Sequence, residues 1–338
     1  MFEEFEVEVR QRSFSPVNVS KHQTLLNFIS SFDMSSKYTH NSTIAAALYG
    51  DISTCTDTTT NESLIMKRIQ LQYAQHHITT RGLSVHEDMD MEIHVNVVLS
   101  SICHPHLVQM RDHYIHEDAM HLILEHCTGG DLFDVVHAGA LPLEKGLRYF
   151  QEIVSAVHTV HTAGFAHRDL SLENVFMTSD DHCKLADFGL AISTDARPLD
   201  IVGKPFYIAP EVFSEGVQYD PVRADMWSLG IILYILLTGA PPMASPSLND
   251  PSYDYLRKYG MSRLCEARGF HFPAAIMKVL DGLVEINPET RWDMKDLLSH
   301  NAACNALPQK RRTLVKVKSF LSLKGHGLPE HVGRICTF

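Results

Sequence analysis

The chain has 338 residues, of which 45% are hydrophobic and 20% carry a charged side chain. This balance predicts a globular protein and excludes a globally disordered one. The formal net charge of -11 argues against a body that binds nucleic acid, because such proteins present basic surfaces.

The 7 cysteines are scattered without the spacing of a disulfide framework. Cys103 and His106 have a ligand-like spacing, but no second pair follows that would complete a zinc site. The acidic N-terminus has no apolar signal region, so we expect reduced thiols in an intracellular, cytoplasmic protein. The longest apolar run, residues 230–237, is too short to span a bilayer, and we expect a buried helix and no transmembrane segment.

In chain order, residues 1–37 contain no motif and are predicted to be an N-terminal extension. Apolar residues between 25 and 32 predict a short helix that packs on the domain or docks a partner. A strand-like pattern begins at Thr39. Later, before a stop at Gly164, apolar residues recur with helical period: Leu147, Phe150, Ile153, Val154, Val157 and Val160.

Two short stretches follow this helix. Residues 167–174 read H-R-D-L-S-L-E-N, and residues 187–189 read D-F-G. Transfer of a phosphoryl group to a hydroxyl needs a carboxylate that orients the hydroxyl and accepts its proton, and oxygen ligands for Mg²⁺. Asp169 suits the first role, and Asn174 and Asp187 suit the second.

These stretches resemble the catalytic loop and the metal-binding turn of eukaryotic protein kinases, H-R-D-x-x-x-x-N followed by D-F-G. Residues 203–211, G-K-P-F-Y-I-A-P-E, are similar to the G-T-P-x-Y-x-A-P-E segment of the serine/threonine type. Within this type, the chain loosely resembles calcium/calmodulin-dependent kinases. The resemblance implies ATP and Mg²⁺ as cofactors and protein hydroxyls as substrates.

The resemblance also implies a fold and its boundaries. The fold is α+β, the two-lobed protein kinase fold, with a small antiparallel β-sheet lobe and a larger α-helical lobe. We expect the kinase domain at residues 38–300, divided into an N-lobe at 38–126 and a C-lobe at 127–300. Residues 301–338 form a basic tail.

The family covers the nucleotide phosphates with a G-x-G-x-x-G loop. The aligned stretch here, residues 44–52, reads I-A-A-A-L-Y-G-D-I, so alanines replace the first two glycines. Alanine resists positive φ, and the loop is expected to be stiffer. Tyr49 aligns with the aromatic tip of this loop. The resemblance places four residues of the loop at the nucleotide: Ile44, Ala45, Gly50 and Ile52.

Residues 64–67 resemble the V-A-I-K strand, which implies that Lys67 binds the α- and β-phosphates. Ile65 replaces an alanine above the adenine and narrows the pocket. The family pairs this lysine with a glutamate on the next helix. Ungapped counting puts Val95 there, whereas Glu92 lies one turn earlier on nearly the same face. We predict that Glu92 is the partner.

Residues 122–133 resemble the hinge that joins the two lobes. The resemblance implies that Leu124 is the gatekeeper and that backbone groups of Glu125 and Cys127 bind adenine. Asp131 is implied as a contact of the ribose or of a basic substrate side chain, and Phe176 as the floor of the adenine pocket. We interpret Cys127 as a hinge residue with an unreactive thiol. The alternative is that its thiol is reactive.

Two departures from the family involve charge. Ser171 stands where the family has a lysine that steadies the transferred phosphate, and Lys204 replaces a threonine. These positions touch in the family fold, so we predict that the Lys204 ammonium fills the place left at Ser171. Glu173, in the same loop, is implied as a contact of the nucleotide or of a basic substrate side chain.

Asp200 aligns with the threonine that many kinases phosphorylate, and Arg168 would pair with that phosphate. Asp200 supplies about one negative charge permanently. We predict that the protein is active without activation-loop phosphorylation. The alternative is that Arg168 and Asp200 form only a surface ion pair. Two structural contacts are also predicted, an ion pair between Glu211 and Arg291 and hydrogen bonds from the catalytic-loop backbone to Asp225.

The alternative function is a pseudokinase that acts as a nucleotide-binding or scaffolding module. The departures that favour it are Ala45, Ala47, Ile65, Val95 and Ser171. Against it, the chain retains the four residues that carry the chemistry: Lys67, Asp169, Asn174 and Asp187. The basic tail is expected to contact an acidic partner or the kinase domain itself, or to be solvated.

Overall fold

The computed structural model describes residues 34–305. The predicted helix between residues 25 and 32 and the basic residues from 310 onward lie outside the described residues. The described part begins with a 3₁₀ turn, Met34–Ser36, directly before the first strand.

A five-stranded antiparallel sheet forms the first lobe, as predicted. In the central strand, Lys67 is in register with Ile52 on one side and with Leu122 on the other. This register brings the lysine beneath the first hairpin and next to the strand that leads into the hinge. The strands, in the order β1-β2-β3-β5-β4, are β1 (Tyr38–Ala46), β2 (Gly50–Asp57), β3 (Ser63–Gln70), β4 (Met110–His116) and β5 (Ala119–Glu125).

Between β3 and β4 lie a short helix, α1 (Leu71–Ala74), and a longer one, α2 (Met89–Ile102). The Asp88 side chain caps α2 by accepting a backbone hydrogen bond from its first turn. Met89 and Ile93 pack against the core of the first lobe, whereas Val95 and Leu99 belong to the core of the second lobe. The helix therefore contacts both lobes.

The second lobe is mainly helical, as predicted. Its periodic apolar run forms one helix, which Gly164 follows in a left-handed conformation with φ of 91°. Two short strand pairs frame the catalytic loop. They are β6 (Phe165–Ala166) with β9 (Ile192–Ser193) and β7 (Val175–Met177) with β8 (Cys183–Leu185). The helices are α3 (Leu132–His137), α4 (Leu143–Thr162), α5 (Pro221–Thr238), α6 (Pro251–Ala267), α7 (Ala274–Leu283) and α8 (Met294–Asn305).

Helix α5 lies at the centre of the second lobe. Asp220 caps its start, Pro221 occupies its first position, and a left-handed Gly239 ends it. By length and composition α5 could cross a membrane, but 89% of the helix is buried inside the domain. The expected buried helix is confirmed.

A buried ion pair ties the segment after the catalytic loop to the helical core. The Arg291 guanidinium lies 2.6 and 2.9 Å from the two carboxylate oxygens of Glu211. The arginine side chain is fully buried, and it also donates to backbone carbonyls of neighbouring turns. The predicted pairing is confirmed.

Candidate active site

An apolar cavity of about 290 Å³ lies between the two lobes. Leu124 is in register with Ile65 across β3 and β5, and both line it with Phe176. The volume is at the low end of the roughly 300–1,000 Å³ usual for ligand cavities, as expected from the bulk of Ile65. The other predicted residues that line it are Ile44, Ala45, Ile52, Glu92, Glu125, Cys127, Asp131 and Asp187.

A second pocket of about 590 Å³ lies beside the turn between β7 and β8. It is lined by residues of three segments, 105–106, 125–128 and 178–184. It shares Glu125, His126 and Thr128 with the first cavity, but it contains none of the residues predicted to carry chemistry. We therefore place the candidate active site at the smaller, apolar cavity.

Residues of the hinge line the cavity and also make contacts that stabilise the fold. Asp131 caps α3 by accepting a hydrogen bond of 2.8 Å from the backbone of Asp134. The Glu125 carboxylate lies 2.9 Å from Lys184 Nζ. Burial raises the pKa of the Cys127 thiol to about 12, which fits a quiet hinge residue and not a reactive one.

Three residues predicted at the nucleotide do not line the cavity: Gly50, Glu173 and Lys67. Gly50 begins β2, and a Cβ at this position would lie 2.0 Å from the Arg68 carbonyl oxygen. This glycine therefore permits close pairing of β2 with β3. Glu173 lies beside Tyr207 of the segment that follows the D-F-G turn, and burial raises the pKa of that tyrosine.

The prediction that Tyr49 forms an aromatic tip is wrong. The residue is 3% exposed, and its hydroxyl donates a hydrogen bond of 2.8 Å to the Glu87 carbonyl. The neighbouring Leu48 carbonyl accepts a hydrogen bond of 3.0 Å from the Thr80 amide. The turn between β1 and β2 is therefore held against the segment that precedes α2.

Lys67 does not line the cavity itself, but its two carboxylate neighbours, Glu92 and Asp187, do. Its Nζ is 2.6 Å from Glu92 Oε1 and 3.6 Å from Asp187 Oδ1, and all three side chains are buried. Burial alone would lower the pKa of Lys67, but the surrounding carboxylates raise it, so the side chain is a cation. The predicted pairing with Glu92 is confirmed, and Val95 lies in the hydrophobic core.

Sequence reasoning missed Glu87, whose side chain is buried in the same cleft. Its carboxyl group lies against the backbone of Gly189 in the D-F-G turn. Burial, together with neighbouring carboxylates including Asp187, raises the pKa of Glu87 to about 8, although Lys67 opposes the rise. No motif in the sequence marks this position.

Asn174 and Asp169 form the centre of the catalytic loop. Asn174 Nδ2 donates hydrogen bonds to the Asp169 carbonyl, at 2.7 Å, and to Asp169 Oδ2, at 2.8 Å. The Asn174 carbonyl accepts from the Ala186 amide at 2.9 Å, which holds the residue before Asp187 next to the loop. Within residues 34–305, the buried Asp169 Oδ1 has no hydrogen-bond partner, so this oxygen is an available acceptor.

Lys204 reaches the catalytic loop from the opposite side. Its Nζ lies 2.7 Å from Asp169 Oδ2, 3.0 Å from Ser171 Oγ and 3.5 Å from Asn174 Oδ1. The ammonium therefore stands beside Ser171, at the place predicted for it. Its contribution to phosphoryl transfer stays a prediction.

Arg168 joins the catalytic loop to the segment that carries Asp200. The guanidinium donates to the Asp200 carboxylate and, over 2.9 Å, to the Tyr219 hydroxyl. Burial alone would raise the pKa of Asp200, but the contact with Arg168 lowers it. In this contact the Arg168 side chain is 5% exposed and the Asp200 side chain 28% exposed, and the role of the pair in activity stays a prediction.

The backbone of the catalytic loop is anchored to α5. Asp225 accepts hydrogen bonds from the amides of His167, at 2.8 Å, and Arg168, at 2.9 Å, as predicted. His161 Nε2 lies 2.8 Å from the same carboxylate. Arg168 and Asp187 have φ of 67° and 64°, a costly conformation for such residues that surrounding contacts must maintain.

Comparison with known proteins decides the family. A family model described as "Protein kinase domain" matches residues 38–302. The chain belongs to the protein kinase family. The predicted recognition and the two-lobed fold are confirmed.

Curated relatives of the chain include protein kinases of plants. It is 29% identical over 270 residues to CBL-interacting protein kinase 2 of Oryza sativa subsp. japonica, covering 78% of this chain and 57% of the relative. It is 35% identical over 222 residues to calcium-dependent protein kinase 2 of the same organism, covering 64% and 41%. CBL-interacting serine/threonine-protein kinase 15 of Arabidopsis thaliana is 32% identical over 200 residues, covering 58% and 46%. The kinase chain spans about half the length of these relatives.

Proposed function

We propose that this protein is an ATP-dependent serine/threonine protein kinase, which transfers the γ-phosphate of ATP to protein hydroxyls. One observation carries the proposal: the unpartnered Oδ1 of Asp169 lies in the cleft that also contains the Lys67–Glu92 pair. The family assignment and the names of the relatives support it.

The nucleotide site is built from an apolar cavity and a buried cation. Ile65, Leu124 and Phe176 suit the adenine ring. Lys67, oriented by Glu92, suits the α- and β-phosphates because a buried ammonium interacts strongly with anionic oxygens.

Asn174 and Asp187 are the groups that fit Mg²⁺, which supplies charge neutralisation at the phosphates. Within the described ranges, no group of three or more His, Cys, Asp or Glu side chains is arranged to hold a metal ion. Two protein ligands suit Mg²⁺, because this ion usually keeps waters and takes further oxygens from phosphates. The same finding lends no support to a zinc site at Cys103 and His106.

In the transfer step, Asp169 Oδ1 orients the substrate hydroxyl and accepts its proton while the hydroxyl oxygen bonds to the γ-phosphorus and ADP leaves. Asn174 and Lys204 hold the other carboxylate oxygen, which fixes the direction of Oδ1. The Lys204 ammonium also places positive charge where the transferred group develops negative charge.

We further propose that the enzyme is active without activation-loop phosphorylation. The Asp200 carboxylate neutralises the buried Arg168 guanidinium permanently, as a phosphate would do after modification. Tyr219 contacts both residues and supports this arrangement.

The test is γ-phosphate transfer by unphosphorylated protein, with Mg²⁺, to itself and to a generic basic protein. Wild type is compared with Asp169→Asn and Lys67→Met, and binding of ATP is followed in parallel by thermal stabilisation. We expect transfer by wild type and about 10³-fold or greater loss in both variants, since each removes a group of the reaction centre.

Other outcomes have distinct meanings. Binding of ATP without transfer by wild type would contradict the kinase proposal and favour a nucleotide-binding scaffold. Absence of both binding and transfer would favour a pseudokinase that does not use nucleotide. Transfer that survives both substitutions would come from a contaminating enzyme.

A further inference from the structure

One peptide group, between Glu87 and Asp88, contacts two separate parts of the cleft. Its carbonyl accepts a hydrogen bond of 2.8 Å from the Tyr49 hydroxyl, in the turn between β1 and β2. Its amide donates a hydrogen bond of 2.9 Å to the carbonyl of Gly189 in the D-F-G turn. A trans peptide is planar and rigid, so this group, here called the bridging peptide, joins the β1–β2 hairpin to the D-F-G turn as a single stiff unit.

The carbonyl of the bridging peptide accepts two hydrogen bonds. Burial raises the pKa of the Tyr49 hydroxyl, so this group keeps its proton and donates. His77 Nδ1 lies 3.0 Å from the same carbonyl oxygen. Because a carbonyl can only accept, this nitrogen is the second donor. The bridging peptide therefore has a defined position even before its contact with Gly189 is considered.

The contact at Gly189 leads to a residue that fits Mg²⁺. The Gly189 amide donates to Asp187 Oδ1 over 3.4 Å, which is long for such a hydrogen bond. Asp187 has φ of 64°, a costly conformation that its surroundings must maintain. The bridging peptide holds the carbonyl of the same glycine whose amide meets this carboxylate. A displacement of Gly189 would therefore shift Asp187.

The ring and the hydroxyl of Tyr49 contribute differently. The ring fills the apolar core of the first lobe, where a phenylalanine would fit equally well. Within the described part of the chain, the contact with the bridging peptide is the only hydrogen bond of the hydroxyl. The hydroxyl is therefore the part of the side chain that couples the hairpin to the D-F-G turn.

We propose that Tyr49 is a positioning residue for Asp187: its hydroxyl, acting through the bridging peptide and Gly189, holds this carboxylate ready for Mg²⁺. Order in the β1–β2 hairpin and binding of Mg²⁺ are thereby linked. The inference rests on the proposed function, since it requires that Asp187 binds Mg²⁺ together with ATP. It extends that function by naming a residue outside the D-F-G turn that controls metal binding.

The test measures binding of ATP to the full chain by titration calorimetry, once with Mg²⁺ and once with a chelator in its place. Adenosine is titrated as a ligand without phosphates. Tyr49→Phe removes the hydroxyl and keeps the buried ring. Tyr38→Phe is the matched control, because this β1 tyrosine is also buried and its hydroxyl donates a hydrogen bond of 2.9 Å to Asp112 of β4. Thermal unfolding of each variant verifies that it is folded.

We expect Tyr49→Phe to bind ATP about three- to tenfold more weakly than wild type when Mg²⁺ is present, the loss typical of one hydrogen bond. Without Mg²⁺ the two proteins should bind ATP equally, and their affinities for adenosine should also be equal. Tyr38→Phe should match wild type under every condition. In an Asp187→Asn background, Tyr49→Phe should have no further effect, because the group on which it acts is already lost.

Equal affinities of Tyr49→Phe and wild type for ATP with Mg²⁺ would overturn the inference, and the kinase proposal would stand. An equal loss for adenosine, or for ATP without Mg²⁺, would also overturn it, because the hydroxyl would then support the cleft in general and not Asp187. A further loss in the Asp187→Asn background has the same meaning. If wild type binds no ATP, or binds it without any help from Mg²⁺, the proposed function fails and this inference fails with it.

Discussion

Lys204 and Ser171 show how the site keeps a cation while exchanging the side chain that supplies it. The Lys204 ammonium contacts Asp169 and Ser171 from the segment after the D-F-G turn. A serine two residues after Asp169 looks like a loss of function when it is considered alone. The geometry shows that the charge is present but that its stem comes from another part of the chain.

Lys204→Thr should lower kcat by about 10²–10³-fold, by analogy with loss of one preorganised donor at a reaction centre. Steady-state phosphorylation of a basic protein measures the effect. The double variant Ser171→Lys with Lys204→Thr places a lysine on the catalytic loop and should recover much of the rate. Unchanged kcat in Lys204→Thr would show that the ammonium has no catalytic part.

Asp200→Ala should lower activity roughly tenfold, because it leaves the buried Arg168 guanidinium without its carboxylate and loosens the catalytic loop. Initial rates on unphosphorylated protein provide the measurement. Asp195→Ala is the control, since this carboxylate is exposed in the same segment and should not affect the rate. Equal rates for both variants and wild type would argue against constitutive activation.

At the scale of elements, the antiparallel sheet and the helical second lobe were predictable from the resemblance to protein kinases, and the helix that contains residues 147–160 from its apolar period. The pairing of Lys67 with Glu92 was predictable too, since residues one turn apart share a face of α2. The inward position of Tyr49 was not. It depends on contacts with residues 77–87, which contain no motif and are distant from the hairpin in sequence.

Strands β4 and β5 contain a pH-sensitive contact. His121 stacks on Tyr114 with ring centroids 4.9 Å apart. Burial, followed by the positive neighbours Arg68 and His116, lowers the pKa of His121 to about 4. As pH falls below the ordinary value of about 6.5, the unfolded chain takes up this proton first, so stability declines between about pH 6.5 and pH 4.

Wild type should lose free energy of unfolding as pH falls, and His121→Phe should lose roughly 1–2 kcal/mol less. This figure is reduced for solvent screening. The measurement is urea unfolding of wild type and variant at about pH 7 and about pH 5. His40→Phe, at an exposed position on β1, should keep the wild-type pH dependence. Identical pH dependence in His121→Phe and wild type would refute the assignment.

At the scale of the whole molecule, the catalytic segments are attached to the helical core through buried charges. Asp225 holds the catalytic loop, and Glu211 with Arg291 holds the segment that follows it. These contacts were predictable because they accompany motifs. The position of Glu87 was not, since a single glutamate in a motif-free segment has no pattern that distinguishes it from a surface residue.

Arg291→Leu should lower the free energy of unfolding by about 3–5 kcal/mol, because it leaves the Glu211 carboxylate buried without its partner. Urea unfolding monitored by far-UV circular dichroism measures it. The double variant with Glu211→Leu should cost less than the sum of the two single changes, since neither charge then remains unpaired. Strict additivity would mean that the pair does not interact in the folded protein.

Helix α2 has a mechanical consequence for the site. Val95 and Leu99 anchor it in the core of the second lobe, and the His94 ring meets Phe165 edge-on at 5.6 Å. Lys67, by contrast, belongs to the sheet. Because α2 packs on both lobes, a rotation that separated the sheet from the second lobe would disturb the packing of α2, so opening of the cleft is linked to the pairing of Lys67 with Glu92. Any ligand that bridges the lobes and shifts this equilibrium toward the closed form also orders the lysine.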